Sequence, residues 1–101
     1  MLKWNIYEIT SANYVLHGVK FRGRIRVYGI DNNIDLLTEN ATDKDNCVRF
    51  AITDNTYLDG IKEMVNATVK GADVVEAMSD VVNPVLSRLK VNLHERYRGE
   101  L

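Results

Sequence analysis

The chain is poor in the residues that staple or punctuate small folds. It has one cysteine, Cys47, so no internal disulfide can form, and a lone thiol suits a reducing compartment. It has one proline, Pro84, and no tract rich in proline, glycine or serine. That leaves no linker or low-complexity segment, and a single domain over residues 1–101 is expected. No apolar run approaches the roughly 18 residues needed to span a bilayer. Met1-Leu2-Lys3-Trp4-Asn5 lacks the long apolar stretch of a signal peptide. A cytoplasmic protein is therefore expected, and Asn40-Ala41-Thr42 and Asn66-Ala67-Thr68 are read as chance glycosylation sequons. An excess of one charge is missing too. Thirteen basic residues against fourteen acidic ones give a net charge of −1, without the basic footprint of a dedicated nucleic-acid binder. Neither nucleic acid nor a membrane is expected as a partner.

The hydrophobic residues that are present fall into patterns. Residues 3–10 carry Trp4 and Ile6 on one face and Tyr7 and Ile9 on the other, which predicts a central strand apolar on both sides. Residues 34–41 and 47–53 read as two strands of a hairpin around the polar turn 42–46, with Val48, Phe50 and Ile52 inward and Arg49 outward. A helix follows. Thr56 and Asp59 have capping-box spacing, Leu58, Ile61, Val65 and Val69 trace an apolar stripe, and Gly71 ends it. Residues 72–82 return as a strand, and Asn83-Pro84 turns the chain. Leu89, Val91, Leu93 and Tyr97 then alternate with Arg88, Lys90, Asn92, His94 and Arg96 as a last, half-exposed strand.

Residues 21–33 fit two periods. Phe21, Ile25 and Val27 alternate with arginines as in a strand, but Phe21, Ile25, Tyr28 and Asn32 also share one side of a helix, which Asn33 could close. As a helix, this segment makes the order β-α-β-β-α-β plus a further strand. That is an α+β, ferredoxin-like αβ sandwich, an antiparallel sheet of four to five strands with two helices on one face. As a strand, it leaves a mostly β chain with one helix.

Chemistry concentrates in Leu16-His17-Gly18-Val19-Lys20-Phe21-Arg22. Gly18 can take positive φ and let the backbone approach a ligand, and consecutive N–H groups in such a turn bind anions. Arg22 supplies a planar fork suited to phosphate. Lys20, Arg24 and Arg26 read as exposed charges. No zinc, calcium, nucleotide-loop or Ser/His/Asp pattern is present, so no metal and no cofactor is expected. Cys47 has no adjacent base and reads as a small packed residue.

His17-Gly18-Val19-Lys20-Phe21-Arg22 resembles the acylphosphatase signature Q-G-V-x-F-R, matching four of its five specified positions. The family's second functional residue is an asparagine eighteen positions after that arginine, and Asn40 stands there. The order of elements resembles the family over nearly the whole chain. The resemblance implies a helix over residues 21–33 and a hydrolase that cleaves acyl phosphates without a metal. In such an enzyme the 17–22 loop and Arg22 bind phosphate, and Asn40 positions the attacking water. Its partner would be a small acyl phosphate or inorganic phosphate, and the protein a monomer or weak homodimer. The chain departs from the pattern at Tyr14 and Leu36, where the family has glycines, at His17, where it has glutamine, and in a hairpin about two residues longer. These departures carry the alternative: an inactive acylphosphatase-like fold serving as an anion-binding or regulatory module.

Overall fold

The computed structural model describes residues 2–17 and 21–88. They run as β1 (Trp4–Thr10), α1 (Phe21–Asp31), β2 (Leu36–Asn40), β3 (Cys47–Ile52), α2 (Leu58–Thr68) and β4 (Asp73–Val81). A 3-10 turn, Asn55–Tyr57, leads into α2. Residues 21–31 are thus helical. The sheet order is β2-β3-β1-β4, and every pairing is antiparallel. The last strand expected from Leu89 onward, with His94, lies outside the described residues, as do Gly18, Val19 and Lys20.

β1 is central because both of its faces can be buried. Tyr7 and Ile9 join Val48, Phe50 and Ile52 beneath the helices, which contribute Phe21, Ile25, Ile61 and Val65 to the same core. Both helices therefore cover one face of the sheet. The Tyr7 and Phe50 rings stack with centroids 5.2 Å apart. Ile6 faces the other way and forms a smaller core with Ala51, Val81 and Leu86.

The helix ends show which local signals win. Asn33 has φ 55° and closes α1. Its N–H donates to the Ile30 carbonyl at 3.1 Å, and the Ile34 N–H reaches the Gly29 carbonyl at 2.8 Å. Those two bonds are a Schellman motif with asparagine in the left-handed position. The start of α2 differs from the expected capping box. Asp54 caps the preceding 3-10 turn, accepting the Thr56 N–H at 2.9 Å, and no side chain caps α2 itself. Gly71, at φ 81°, follows the helix as expected. Gly29 explains how β2 can carry Leu36, because a methyl group at Gly29 would stand 3.1 Å from the Leu36 Cβ.

The face of the sheet opposite α1 and α2 is covered by the chain after β4. Residues 82–88 cross it, Leu86 is buried there, and the Ser87 carbonyl accepts the Thr42 N–H at 2.8 Å and the Thr42 hydroxyl at 2.9 Å. Arg49 points away from the helices, as its alternation requires, but it is not a surface residue: only 2% of it is exposed. Its Nε donates to Glu8 at 2.8 Å, and its Nη1 donates to Asp43 at 2.7 Å and to the Leu86 carbonyl at 2.9 Å. Lys44 completes the cluster on Glu8 at 3.0 Å.

Replacing Arg49 by methionine should cost about 3 kcal/mol, because it removes the buried donor that Glu8, Asp43 and the Leu86 carbonyl share. Urea unfolding would measure the loss, and hydrogen exchange should show residues 86 and 87 opening first. Burial pushes the Glu8 carboxyl up, but hydrogen bonds to Lys44 and Arg49 and their charges outweigh this and hold it below the usual glutamate range. A depressed folded-state pKa stabilises the fold above the ordinary carboxylate range, and that share is lost as pH falls below about 4. A Glu8→Gln variant should therefore lose less stability than wild type over the same acid titration.

Candidate functional site

β1 and β2 run in the same direction with β3 between them, so Thr10 and Asn40 lie at one end of the sheet, opposite Cys47 and Val48. The loop from β1 to α1 begins at this end. Over residues 11–17 its path is set by side chains. The Ser11 hydroxyl accepts the N–H groups of Asn13 and Tyr14 at 3.3 and 3.2 Å. Asn46, in the hairpin turn at φ 49°, accepts the Leu16 N–H at 2.7 Å and donates to the carbonyls of Ser11 and Tyr14 at 3.0 and 2.8 Å. Among the described residues at this end it is Asn46 that is left-handed, while Asn13 and Tyr14 keep ordinary backbone angles. Tyr14 is exposed, so its side chain does not fill the interior of the loop.

His17 is held as well. Its Nε2 lies 2.7 Å from the Cys47 carbonyl, which also accepts the Ala41 N–H at 2.9 Å. A carbonyl oxygen only accepts, so Nε2 carries a proton, and in the neutral ring Nδ1 is left as the acceptor. The imidazole is thus a clamp between loop and hairpin. Cys47 is buried, and that burial pushes its thiol pKa up, away from a reactive thiolate.

Phe21 is buried in the main core and anchors the start of α1. The N–H groups of the first helical residues, Phe21, Arg22 and Gly23, have no acceptor within the helix. The first turn holds no acidic residue. It holds Arg22 and Arg24 instead, which places cations at the positive end of the helix dipole, where anions are favoured. Arg22 faces β2 and lines a cavity of about 370 Å³ with Arg26, Thr38, Glu39, Pro84 and Leu86. Arg26 was read from sequence as a plain exposed charge. Its spacing of four from Arg22 was the signal that both lie on one helix side. No ion pair or hydrogen bond among the described residues takes up either guanidinium.

Asn40 ends β2 with its side chain on the helix-covered face. Its Oδ1 is buried and has no hydrogen-bond partner among the described residues. Asn40 is not part of the wall of the Arg22 cavity, which stops at Glu39. The fold thus brings Arg22 and Asn40 to the same end of the sheet, on adjoining elements, with no hydrogen bond between Arg22 and the Asn40 Oδ1. Among the described residues no cluster of three His, Cys, Asp or Glu could hold a metal ion, and no helix is long and apolar enough to cross a membrane.

No family model, curated protein or solved structure matches the chain.

The misplaced cation gives a stability test. In anion-free buffer, Arg22→Gln should raise stability by about 0.3–1 kcal/mol by relieving the helix N-terminus. Adding inorganic phosphate should then raise the thermal midpoint of wild type more than that of the variant.

Proposed function

We propose that the protein hydrolyses acyl phosphates as an acylphosphatase-like enzyme built on a ferredoxin-like βαββαβ sandwich. The strand order β2-β3-β1-β4 with both helices on one face suits that arrangement. The observation that carries the activity is the orphaned Asn40 Oδ1, buried at the same end of the sheet as a helix N-terminus that bears arginines and no acid. An unsatisfied buried acceptor costs on the order of 1–3 kcal/mol, which a water donating to it would recover.

The chemistry needs little more. The backbone N–H groups of the 17–22 loop, together with Arg22, would hold the phosphoryl oxygens, and Asn40 would orient a water through its amide. The water oxygen forms a bond to phosphorus as the bond from phosphorus to the acyl oxygen breaks, and the electron pair leaves on the carboxylate. The proton of the water passes to the phosphate product. Carboxylate is a good leaving group, so positioning and charge stabilisation suffice without a strong general acid. On this reading His17 contributes through its backbone and its clamp, since its Nε2 is already bonded to Cys47.

The test is hydrolysis of benzoyl phosphate in the presence of a chelator. Wild type should turn it over, Arg22→Ala should lose about 10²–10³ in kcat/KM, and Asn40→Ala should lose mainly kcat. Folded wild type that binds phosphate without turnover would leave the anion-binding module as the function.

A further inference from the structure

α1 presents two sides besides its buried one. Arg22 and Arg26 turn toward β2, whereas Arg24, Val27, Tyr28 and Asp31 turn toward α2. There, with Met64 and Thr68, they line a groove of about 320 Å³. A second hollow of about 360 Å³, walled by Tyr14, Val15, Phe21 and Val69, adjoins it through Arg24 and Thr68. Beside the groove stands an exposed apolar ridge, with Val27 54% and Ile30 71% accessible. Apolar residues of this size on the outer side of a helix are not what water-facing positions favour.

We propose that this surface docks a second copy of the chain, with the two α1 helices packed antiparallel about a two-fold axis. Such an interface must be self-complementary, each residue meeting a partner that meets it in return. The charges on this side of α1 have that property. Arg24 and Asp31 stand seven residues apart, about 10 Å along the axis, with Val27 and Tyr28 midway. A two-fold axis through that midpoint sets Arg24 against the partner's Asp31, and Asp31 against the partner's Arg24. Neither residue is in an ion pair among the described residues.

The same operation sets Val27 level with the partner's Tyr28, and Tyr28 level with the partner's Val27, beside the groove that both residues line. The exposed Val27 and the two charges thus lie on one side of the helix. Gly23 has open space around its Cα, so no side chain holds the helices apart at that end. A parallel pairing would oppose like charges. An acidic helix would suit Arg24 but not Asp31, and a basic one the reverse, whereas a second copy supplies both signs at the required spacing. Arg22 and Arg26 lie on the other side of α1, so the pairing leaves their cavity open and does not depend on the hydrolase reading.

Sedimentation velocity over roughly 10 μM to 1 mM should show a monomer–dimer equilibrium for the wild-type chain. Arg24→Asp and Asp31→Arg should each weaken it by about tenfold or more, since each opposes two pairs of like charge. The doubly exchanged variant should dimerise again. The two single variants, mixed in equal amounts, should associate with each other although neither does so alone. Val27→Lys should be monomeric. All of these positions are exposed, so thermal melts should confirm that the variants are folded. A wild type that stays monomeric throughout overturns the proposal. So does a dimer indifferent to both reversals, which would place the contact on another face, or a failure of exchange and mixing to restore association.

Discussion

The Arg49 guanidinium sits on the face of the sheet opposite α1 and α2, and what it holds determines how that face is closed. Its donors reach Glu8 on β1, Asp43 in the hairpin turn and the carbonyl of Leu86 in the crossing segment. Three parts of the chain that are remote in sequence are thereby fixed to one planar fork. A buried arginine without such partners would cost several kcal/mol, so the cluster and the crossing segment require each other. The apolar contribution beneath the segment is small, since Leu86 meets a compact set of Ile6, Ala51 and Val81. The hydrogen bonds of Arg49 and Thr42 set the path of the chain here more than apolar area does.

The hairpin between β2 and β3 then acts as a two-sided bracket. On one side Asp43 and Lys44 take part in the Arg49–Glu8 cluster. On the other, Asn46 and the Cys47 carbonyl hold the loop that leads to α1. This gives the turn a physical role: it orders the approach to the helix N-terminus. His17 fits the same role, because its imidazole N–H donates to the Cys47 carbonyl.

Much of this was legible in the sequence where the signal was local. The two apolar faces of residues 3–10, the asparagine that ends α1 and the glycine after α2 each acted through their own neighbours. The misses were interactions at long range. Arg49 alternates like a surface residue, and its burial depends on a segment 37 positions later in the chain folding back across it. Asn46 looked like one more polar turn residue, since its three partners lie 30 or more positions away. The start of α2 went astray for the opposite reason: two local caps, Asp54 and the Thr56–Asp59 pair, competed within one turn, and the 3-10 geometry favoured Asp54. Arg22 and Asn40 stand on adjoining elements at one end of the sheet, while Arg26, dismissed as a solvated charge, shares a cavity with Arg22.

The ambiguity of residues 21–31 has its own cause, and it bears on what α1 does. An amphipathic helix with one buried side would have declared itself by period. α1 instead divides its circumference in three: Phe21, Ile25 and Gly29 go to the core, Arg22 and Arg26 toward β2, and Arg24, Val27 and Asp31 toward α2. Apolar residues therefore fall outside the buried stripe, and arginines recur every second position from 22 to 26, which imitates a strand. A helix that only had to cover a sheet would have no reason to depart so far from a single apolar stripe. Two outward sides of different chemistry, one carrying cations with no partner among the described residues and the other opposite charges beside exposed Val27, are what two separate ligands on one helix would require.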